Sequence, residues 1–324
     1  MMIKRELFLT DCDKESIRSI LFASGARAVG FAKAEPVDSE VWRGFTDWLS
    51  RGDNAGMEYM YNYPDLRRDP RLLLDGARTV ISIAYSYAPA KWRNPDLGEI
   101  AAYAYGKDYH KVLRKLLKPA LNEISATYSD SAFRICIDSA PVLERYWAQK
   151  AGIGFIGDNS ALIVPGYGSM VFLVEILTTL DIAPDNPDTR DCGHCGACRK
   201  ACPGKAIIDN CQIDCRLCIS YLTIEHRGEW ILEESSEVMK TEAARNSIYG
   251  CDTCLRVCPH NRGVPPTSIE DFHPSAQMLS LSFEDIKSLK NSEDLQRLIP
   301  GSPMTRAGVS GLLRNISPDC RHCR

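Results

Sequence analysis

Cysteine residues at fixed spacing give the clearest chemical signal in this chain of 324 residues, which contains 14 cysteines. The first run follows C-x2-C-x2-C-x3-C-P, and its members are Cys192, Cys195, Cys198 and Cys202. The second run has the same ending without the first position, and its members are Cys251, Cys254 and Cys258. Thiolates at this spacing bind [4Fe–4S] clusters. The two runs therefore predict two such clusters with one ligand still to be found.

The ligands divide between the two clusters by a crossover, because the fourth cysteine of such a run ligates the other cluster of a pair. Cys258 then joins the cluster held by the first three cysteines, and Cys202 joins Cys251 and Cys254. The eighth ligand must lie between the runs. That segment contains three cysteines, and the spacing does not choose among them: Cys211, Cys215 and Cys218.

Structural zinc is the alternative metal, but zinc sites are built from separated C-x2-C pairs, and zinc does not explain the closing C-x3-C-P. Of the remaining cysteines, Cys12 and Cys136 are interpreted as small buried apolar residues. Cys320 and Cys323 form a C-x2-C at the end of the sequence. We interpret this end as a frayed tail, and a partial metal site completed by another chain is the alternative.

Composition bounds the class of protein. A hydrophobic fraction of 44% with 25% charged residues is typical of a globular protein. Charged residues near the start of the sequence interrupt it before any apolar run reaches the length of a signal peptide. The longest candidate for a membrane span, residues 170–180, is short and contains Glu175. We therefore expect a cytoplasmic protein, away from membranes, whose thiols stay free to bind iron. A net charge of −3 argues against a wholly polyanion-binding surface and allows a local basic patch.

The rest of the chain predicts the elements that position this chemistry. Apolar and β-branched runs predict strands at 79–87, 133–137 and 170–177, and spacing of three and four residues predicts a helix over 112–124. The other face of that helix is basic, which fits a solvated face or a contact with RNA phosphates. Its members are Lys107, Lys111, Arg114, Lys115 and Lys118.

A second helix is predicted at 141–150, with Pro141 in its first turn, so that its N-cap falls on Ala140. The glycines of 151–157 follow a helix rather than a strand, so we predict a loop with close backbone approach and no dinucleotide fingerprint. The breaker-rich residues 183–191 form a linker. Three parts are expected: 1–185, the cysteine-rich 186–265, and 266–324 with one or two helices packing on the body.

Several stretches together resemble the epoxyqueuosine reductases, cobalamin-dependent enzymes of the last step in making queuosine in tRNA. They are Y-G-K-D-Y-H-K-V-L-R (105–114), I-D-S-A-P-V-L-E-R (137–145), A-G-I-G-F-I-G-D-N (151–159), C-I-S-Y-L-T-I-E (218–225), Y-G-C-D-T-C-L-R-V-C-P-H-N (249–261) and S-P-M-T-R-A-G-V-S-G-L-L-R-N (302–315). Their order and their combination with the cysteine runs make the resemblance specific.

The resemblance implies an α+β fold, with a nitroreductase- or flavin-reductase-like cobalamin-binding domain followed by a ferredoxin-like domain with two clusters. It implies reduction of epoxyqueuosine to queuosine at the tRNA wobble position, with electrons passing from an external donor through the clusters to cobalamin. The partner would be the tRNA anticodon stem-loop, and the enzyme would act as a monomer. Longer family members continue into a helical-repeat region after the last of these stretches, and we expect a short form without that region.

The resemblance also implies roles for individual residues. Asp138 matches the family's proton donor and lies against the cofactor, and a carboxylic acid can supply the proton there if burial raises its pKa toward working pH. The alternative for Asp138 is a carboxylate at a helix start. Asp108, Tyr109 and His110 match a motif that lines the substrate pocket, although a histidine in front of an amphipathic helix is commonly a surface residue. By the same resemblance, Cys218 is the eighth cluster ligand. Three further residues are expected at the cofactor: Asn159, Ser160 and Ser169. No protein histidine is expected on cobalt.

Two other functions remain open from the sequence. One is a related cobalamin-dependent reductase of a small molecule, as in the reductive dehalogenases. The other is a non-catalytic iron–sulfur protein that passes electrons to a partner, which would bind iron but no corrin.

Overall fold

The structure, a computed structural model, describes residues 9–209, 211–230 and 233–317. In these ranges the strands are β1 Ala28–Lys33, β2 Thr79–Ser86, β3 Glu99–Ile100, β4 Phe133–Cys136, β5 Phe155–Ile156, β6 Leu162–Ile163, β7 Val171–Thr178, β8 Ile207–Ile208, β9 Gln212–Ile213 and β10 Ser247–Tyr249.

The α-helices of the same ranges are short apart from α1, α2 and α4. They are α1 Asp11–Ala23, α2 Ser39–Ser50, α3 Pro64–Arg68, α4 Tyr109–Thr127, α5 Glu144–Lys150, α6 Ala197–Ala201, α7 Ile219–Ile224, α8 Glu233–Met239, α9 Glu242–Arg245, α10 Thr253–Arg256, α11 Ala276–Ser280, α12 Phe283–Lys287, α13 Ser292–Leu298 and α14 Gly308–Asn315. None of the helices in the described ranges is long and apolar enough to cross a membrane.

A four-stranded antiparallel sheet forms the centre of the molecule, in the order β1-β2-β7-β4. The three predicted strands are confirmed as β2, β4 and β7, with ends shifted by one residue. Every residue of β2 is buried, because both faces of the sheet are covered. Such a strand reads as a continuous apolar run rather than an alternating one.

The two faces of the sheet carry different helices. Ile81, Ile83 and Tyr85 of β2 point into a core shared with α1 and α4, while Val80 of the same strand packs with Trp147 of α5. This alternation follows from the two-residue period of a strand. The sheet is therefore a middle layer, with α1 and α4 on one face and α5 on the other.

Helix α4 confirms the predicted helix and carries the D-Y-H motif at its start. Asp108 is the N-cap, and its carboxylate accepts a hydrogen bond from the His110 amide at 3.1 Å. The apolar side of the helix is buried in the core, and the basic side is exposed. Lys107 donates to Asp271 at 2.6 Å. Part of the basic face is thus neutralised within the chain.

The start of the predicted helix 141–150 is wrong. Helix α5 begins at Glu144, and its first turn closes with the Trp147 amide donating to the Leu143 carbonyl at 3.1 Å. Pro141 and Ala140 lie before the helix, because the backbone turns through the left-handed region at Asp138, where φ is +53°. A proline fits such a bend as readily as a first helical turn, since both accept its fixed φ.

The segment 151–157 is only partly the predicted loop, because its end forms β5, which pairs with β6 in a hairpin. The close backbone approach is confirmed. A Cβ at Gly152 would lie 2.3 Å from the Asn186 carbonyl oxygen, and one at Gly154 would lie 2.4 Å from that of Ile163. These glycines serve packing within the chain.

The cysteine-rich segment and the C-terminal segment are built into the same core as the sheet. Strand β10 pairs in parallel with β3, and Tyr249 shares a hydrophobic cluster with Ile17 of α1. Residues 266–317 contain four α-helices, α11 to α14, rather than the one or two predicted. These helices are short, so their periodicity is weak in the sequence, and Leu312 of α14 is buried in that same cluster.

Candidate active site

The four candidate catalytic residues, Asp108, Tyr109, His110 and Asp138, line one cavity of about 860 Å³, which we call the main cavity. The first three come from the start of α4, and Asp138 follows the end of β4. Cys218, the cluster ligand that the resemblance implies, lines the same cavity from the cysteine-rich segment. The fold therefore places a possible proton donor and a possible electron donor around one space.

His110 links two carboxylates. Its Nδ1 lies 2.9 Å from Asp108 Oδ1, and its Nε2 lies 3.2 Å from Asp138 Oδ2. Both ring nitrogens are therefore occupied by carboxylates, which leaves neither free to ligate a metal. An imidazole held between two carboxylates is also well suited to carry a positive charge.

Protonation at this pair differs from the sequence expectation. Burial alone would raise the pKa of Asp138, but hydrogen bonds from His110 and Tyr109 outweigh it, and the pKa of Asp138 is lowered. The hydrogen bond to Asp138 in turn raises the pKa of His110, against its own burial. The net rise in the pKa of Asp138 that the proton-donor role was expected to require is therefore absent in this arrangement. The proton of the resting pair lies on His110, from which Asp138 can receive it.

Tyr109 contacts both members of the His110–Asp138 pair. Its ring stacks on Phe172 at 4.3 Å between centroids and on His110 at 4.1 Å. Burial and the neighbouring Asp138 carboxylate raise its pKa, so the hydroxyl keeps its proton and donates to Asp138. The stack fixes the orientation of both rings.

Three charged residues of the site were missed from the sequence, although all three lie in the quoted family stretches. Glu144 accepts a hydrogen bond from the Asp138 amide at 2.6 Å and so holds the left-handed turn. Arg306 lines the main cavity and pairs with Glu225 at 2.9 Å. Side-chain direction cannot be read from these stretches, and only the acidic or basic character of the residues could have marked them.

The first predicted cysteine set is brought together. Cys192, Cys195, Cys198 and Cys258 line a single small cavity, and that cavity does not include Asp138. Cys195 is exposed, whereas Cys198 and Cys258 are buried. Four thiols around one space are the donor set that a [4Fe–4S] cluster takes. The residues present therefore fit the cluster.

The second predicted set is likewise grouped around Cys254. Burial raises the pKa of the Cys254 thiol, and the thiols of Cys218, Cys251 and Cys202 add to the shift. Cys211 instead interacts with Cys192 and Cys198 of the first set. Helices α6 and α10, which carry Cys198 and Cys254, are in contact with each other. The arrangement favours Cys218 over Cys211 as the eighth ligand, and Cys215 lies three residues before Cys218 in the chain.

The three residues expected at the cofactor are not all in one place. Ser160 lines the main cavity and accepts from Arg145 at 2.7 Å. Ser169 lines an adjoining cavity of about 360 Å³ that also includes Asp138. Asn159 lies instead on the cavity of the first cysteine set. Its position points to that cluster rather than to the main cavity.

The other cysteines divide. Cys136 is buried as expected, but Cys12 is exposed, because it lies on the solvent side of the first turn of α1. Cys320 and Cys323 lie outside the described residues.

Comparisons with known proteins agree with this geometry. Residues 67–139 match the family model described as epoxyqueuosine reductase QueG, DUF1730, and residues 191–261 match a 4Fe-4S double cluster binding domain. Epoxyqueuosine reductases from Leadbetterella byssophila and Cellulophaga algicola are both 38% identical to the chain. The first match covers 95% of this chain and 98% of the relative, and the second covers 90% and 93%.

Solved structures show the same likeness. A crystal structure of epoxyqueuosine reductase with an epoxyqueuosine-modified tRNA-Tyr stem loop superposes with a TM-score of 0.83 at 28% identity. The match covers 94% of this chain and 79% of that one. With two cysteine sets, a shared cavity and relatives of this similarity along nearly its whole length, the chain belongs to the epoxyqueuosine reductase family.

Proposed function

We propose that this protein reduces epoxyqueuosine to queuosine at the wobble position of tRNA, with electrons passing through two [4Fe–4S] clusters to cobalamin. One observation carries the proposal: the Asp138–His110 pair and Cys218 line the same cavity of about 860 Å³. Electrons and protons would therefore meet at one place. The family and the matched cluster domain support the same reaction.

The reaction sets a requirement on the residues. Removal of the epoxide oxygen as water, leaving a carbon–carbon double bond, consumes two electrons and two protons. Cobalamin, when bound, supplies low-valent cobalt that delivers electrons to the epoxide carbon. The chain must supply the protons at the leaving oxygen. His110 holds one, and Asp138 passes it on, since its carboxylate accepts from Nε2 of His110 at 3.2 Å.

Fit to cobalamin rests on the cavity and its donors. The adjoining cavity of about 360 Å³ shares Asp138 and Tyr109 with the main one. Ser160 and Ser169 would contact the corrin side chains from these two spaces. His110 would leave cobalt without a protein imidazole, because both of its nitrogens bond to carboxylates. Asn159 would serve the first cluster.

The proposed roles are divided among three successive segments of the chain. Residues 1–185 would form a nitroreductase-like cobalamin domain, which the covered antiparallel sheet supports. Residues 186–265 would form a ferredoxin-like domain, and 266–324 would pack on the body. An external donor would reduce the first cluster, where Cys195 is exposed. The tRNA anticodon stem-loop would cover the main cavity, and we expect a cytoplasmic monomer.

A reconstitution experiment tests the proposal. Anaerobically reconstituted protein with cobalamin, a reductant and an epoxyqueuosine-containing stem-loop RNA should form queuosine, measured by nucleoside mass spectrometry. The absence of queuosine from fully loaded protein would refute the reaction. A titration with cobalamin, followed by absorption, gives the independent control: iron without any corrin-dependent spectral change would mark a non-catalytic electron carrier.

A further inference from the structure

The face of the central sheet under α5 contains an unusual polar row. Gly30, Ser82, Glu175 and Cys136 are successive cross-strand partners on β1, β2, β7 and β4. Ser82 and Glu175 have no exposed surface, and Cys136 has 1%. A row through the middle of a covered sheet is normally apolar, as its neighbours here are. This row instead buries a carboxyl group in the layer between sheet and helix.

The buried polar atoms of this row lack partners. Within the described residues, Ser82 Oγ and both carboxyl oxygens of Glu175 have no hydrogen-bond partner, and neither does Nε1 of Trp147 on α5 above them. Val80 and Leu177, neighbours of the row on its own strands, pack in one cluster with Trp147 and Cys136. Unpaired buried polar groups destabilise the folded state, and native proteins satisfy them with internal water or give them a function. Several on one face mark this row as a candidate for a functional role.

This row leads to the catalytic turn. Cys136 is the last residue of β4, two positions before Asp138. Glu144, the first residue of α5, bonds to the Asp138 amide at 2.6 Å and lines the 360 Å³ cavity with Asp138. Helix α5, which begins at Glu144, packs on β7, which carries Glu175, and the charge of Glu144 raises the pKa of Glu175. Two carboxyl groups on packed elements therefore lead from the buried row to the turn that carries Asp138.

We propose that Glu175 and Glu144 form an internal proton store that recharges Asp138 during turnover. The inference rests on the proposed reaction, which consumes two protons, while the His110–Asp138 pair holds one. With RNA covering the main cavity, the second proton must already be inside the protein. Glu144 carboxylic acid would give its proton, through water in the 360 Å³ cavity, to the Asp138 carboxylate. Glu175 would then reprotonate Glu144.

Proton balance closes over one cycle. The leaving oxygen takes one proton from His110 and one from Glu144, both through Asp138, and departs as water. Glu144 recovers a proton from Glu175, so the cycle ends with Glu175 as a carboxylate and His110 neutral. After product release, solvent returns one proton to each of them, entering through the cavity that Asp138 and Glu144 line. The two electrons come from the clusters.

The titration properties agree with this assignment. Burial, followed by the Asp138 charge, raises the pKa of Glu144 to about 7, while Arg145 and His110 act in the opposite direction. Burial and the Glu144 charge raise the pKa of Glu175 well above its usual range. The other titratable groups near Glu144 are Tyr109 and Cys136. Both carboxyls would thus hold protons near neutral pH.

The test compares Glu175→Gln with Ser82→Ala, which removes a polar atom from the same row but no titratable proton. Single-turnover queuosine formation on the stem-loop RNA would be followed from pH 6 to pH 9. We expect Glu175→Gln to stay within about twofold of wild type at pH 6 and to fall about five- to tenfold below it at pH 8.5. Ser82→Ala should follow the wild-type profile. A Glu175→Gln profile that matches wild type at every pH would overturn the store.

An infrared measurement keeps the proposal testable if Glu175→Gln does not fold. Wild-type holoprotein should show the carbonyl band of a protonated carboxylic acid at pH 7, and the band should persist when the solvent is raised to pH 8.5. The absence of this band at pH 7 would refute the store. Loss of all queuosine formation by wild type would refute the proposed reaction instead. The infrared band at pH 8.5, above the pKa of about 7 of Glu144, would still report on Glu175.

Discussion

The two cysteine sets share one spacing pattern but lie in different surroundings. The first set has the exposed Cys195 and lines a small cavity apart from the catalytic pair. The second set has Cys218 on the wall of the cavity that contains Asp138 and His110. The same motif therefore occurs in two environments, one reached by solvent and one on the wall of the cavity that contains the catalytic pair. We therefore propose that electrons enter at the first set and are delivered to the cavity by the second.

Removing the delivery ligand should have the largest effect. Cys218→Ala would lose the second cluster, lowering iron from about eight to about four atoms per chain. Queuosine formation should fall by about 10³-fold or more, because electrons no longer reach the cavity. Iron quantitation and nucleoside mass spectrometry on one anaerobic preparation measure both. Cys215→Ala is the matched control and should keep its iron. The reverse pattern between these two variants would transfer the ligand role to Cys215.

The second largest effect is expected from a substitution in the catalytic pair, Asp138 and His110. Asp138→Asn should keep both clusters and cobalamin while turnover falls about 10²- to 10⁴-fold, the usual contribution of a positioned general acid. Iron content and the corrin spectrum serve as controls for folding. Turnover close to that of wild type would show that protons reach the leaving oxygen by another path.

Removing an entry ligand should depend on the electron donor. Cys195→Ala would lose the first cluster, so turnover with a protein donor should be lost. A small reductant such as dithionite can reach the second cluster directly, and roughly a tenth of wild-type turnover should remain with it. The ratio of the two rates is the measurement. Equal losses with both donors would contradict the division into entry and delivery.

The smallest effect concerns stability and pH. The pKa of folded His110 is raised by its bond to Asp138, so its stabilising contribution is full below the unfolded value near 6.5 and is lost as pH rises through the folded value. The Asp138 side chain is 45% exposed, so solvent screens the pair to about 0.5 kcal/mol. His110→Gln should therefore lower the thermal midpoint at pH 6 and leave it nearly unchanged at pH 9. A pH-independent difference would mean that the ion pair does not contribute.

The sequence predicted the features that depend on local spacing. Cluster ligands come three from one short segment, so the spacing of Cys192, Cys195 and Cys198 was enough to propose the first set. Continuous apolar runs predicted β2, β4 and β7 because buried strands need such runs. The assignment of Cys258 to the first set needed the known crossover of ligands in proteins with two clusters. The preference for Cys218 needed the family resemblance.

Features that depend on three-dimensional neighbours could not be read in this way. The pKa of Asp138 was expected to rise with burial and is lowered instead, because His110 and Tyr109 donate to it from another element. The start of α5 was misplaced since Pro141 fits a bend and a helix equally well. Glu175 looked like a charge that interrupts an apolar run, and only the sheet register shows that it lies in a buried polar row.

The parallel pair of β3 and β10 has a consequence for how the protein is made. Tyr249 follows its partner Ile100 by 149 positions and stands two residues before Cys251. At typical synthesis rates the first strand waits roughly 7 to 30 s for the second to leave the ribosome. Because Cys251 follows so closely, we expect the docking of β10 to be coupled to binding of the cluster. Iron-starved cells should then contain more chain in which the edge of β3 is open to proteolysis.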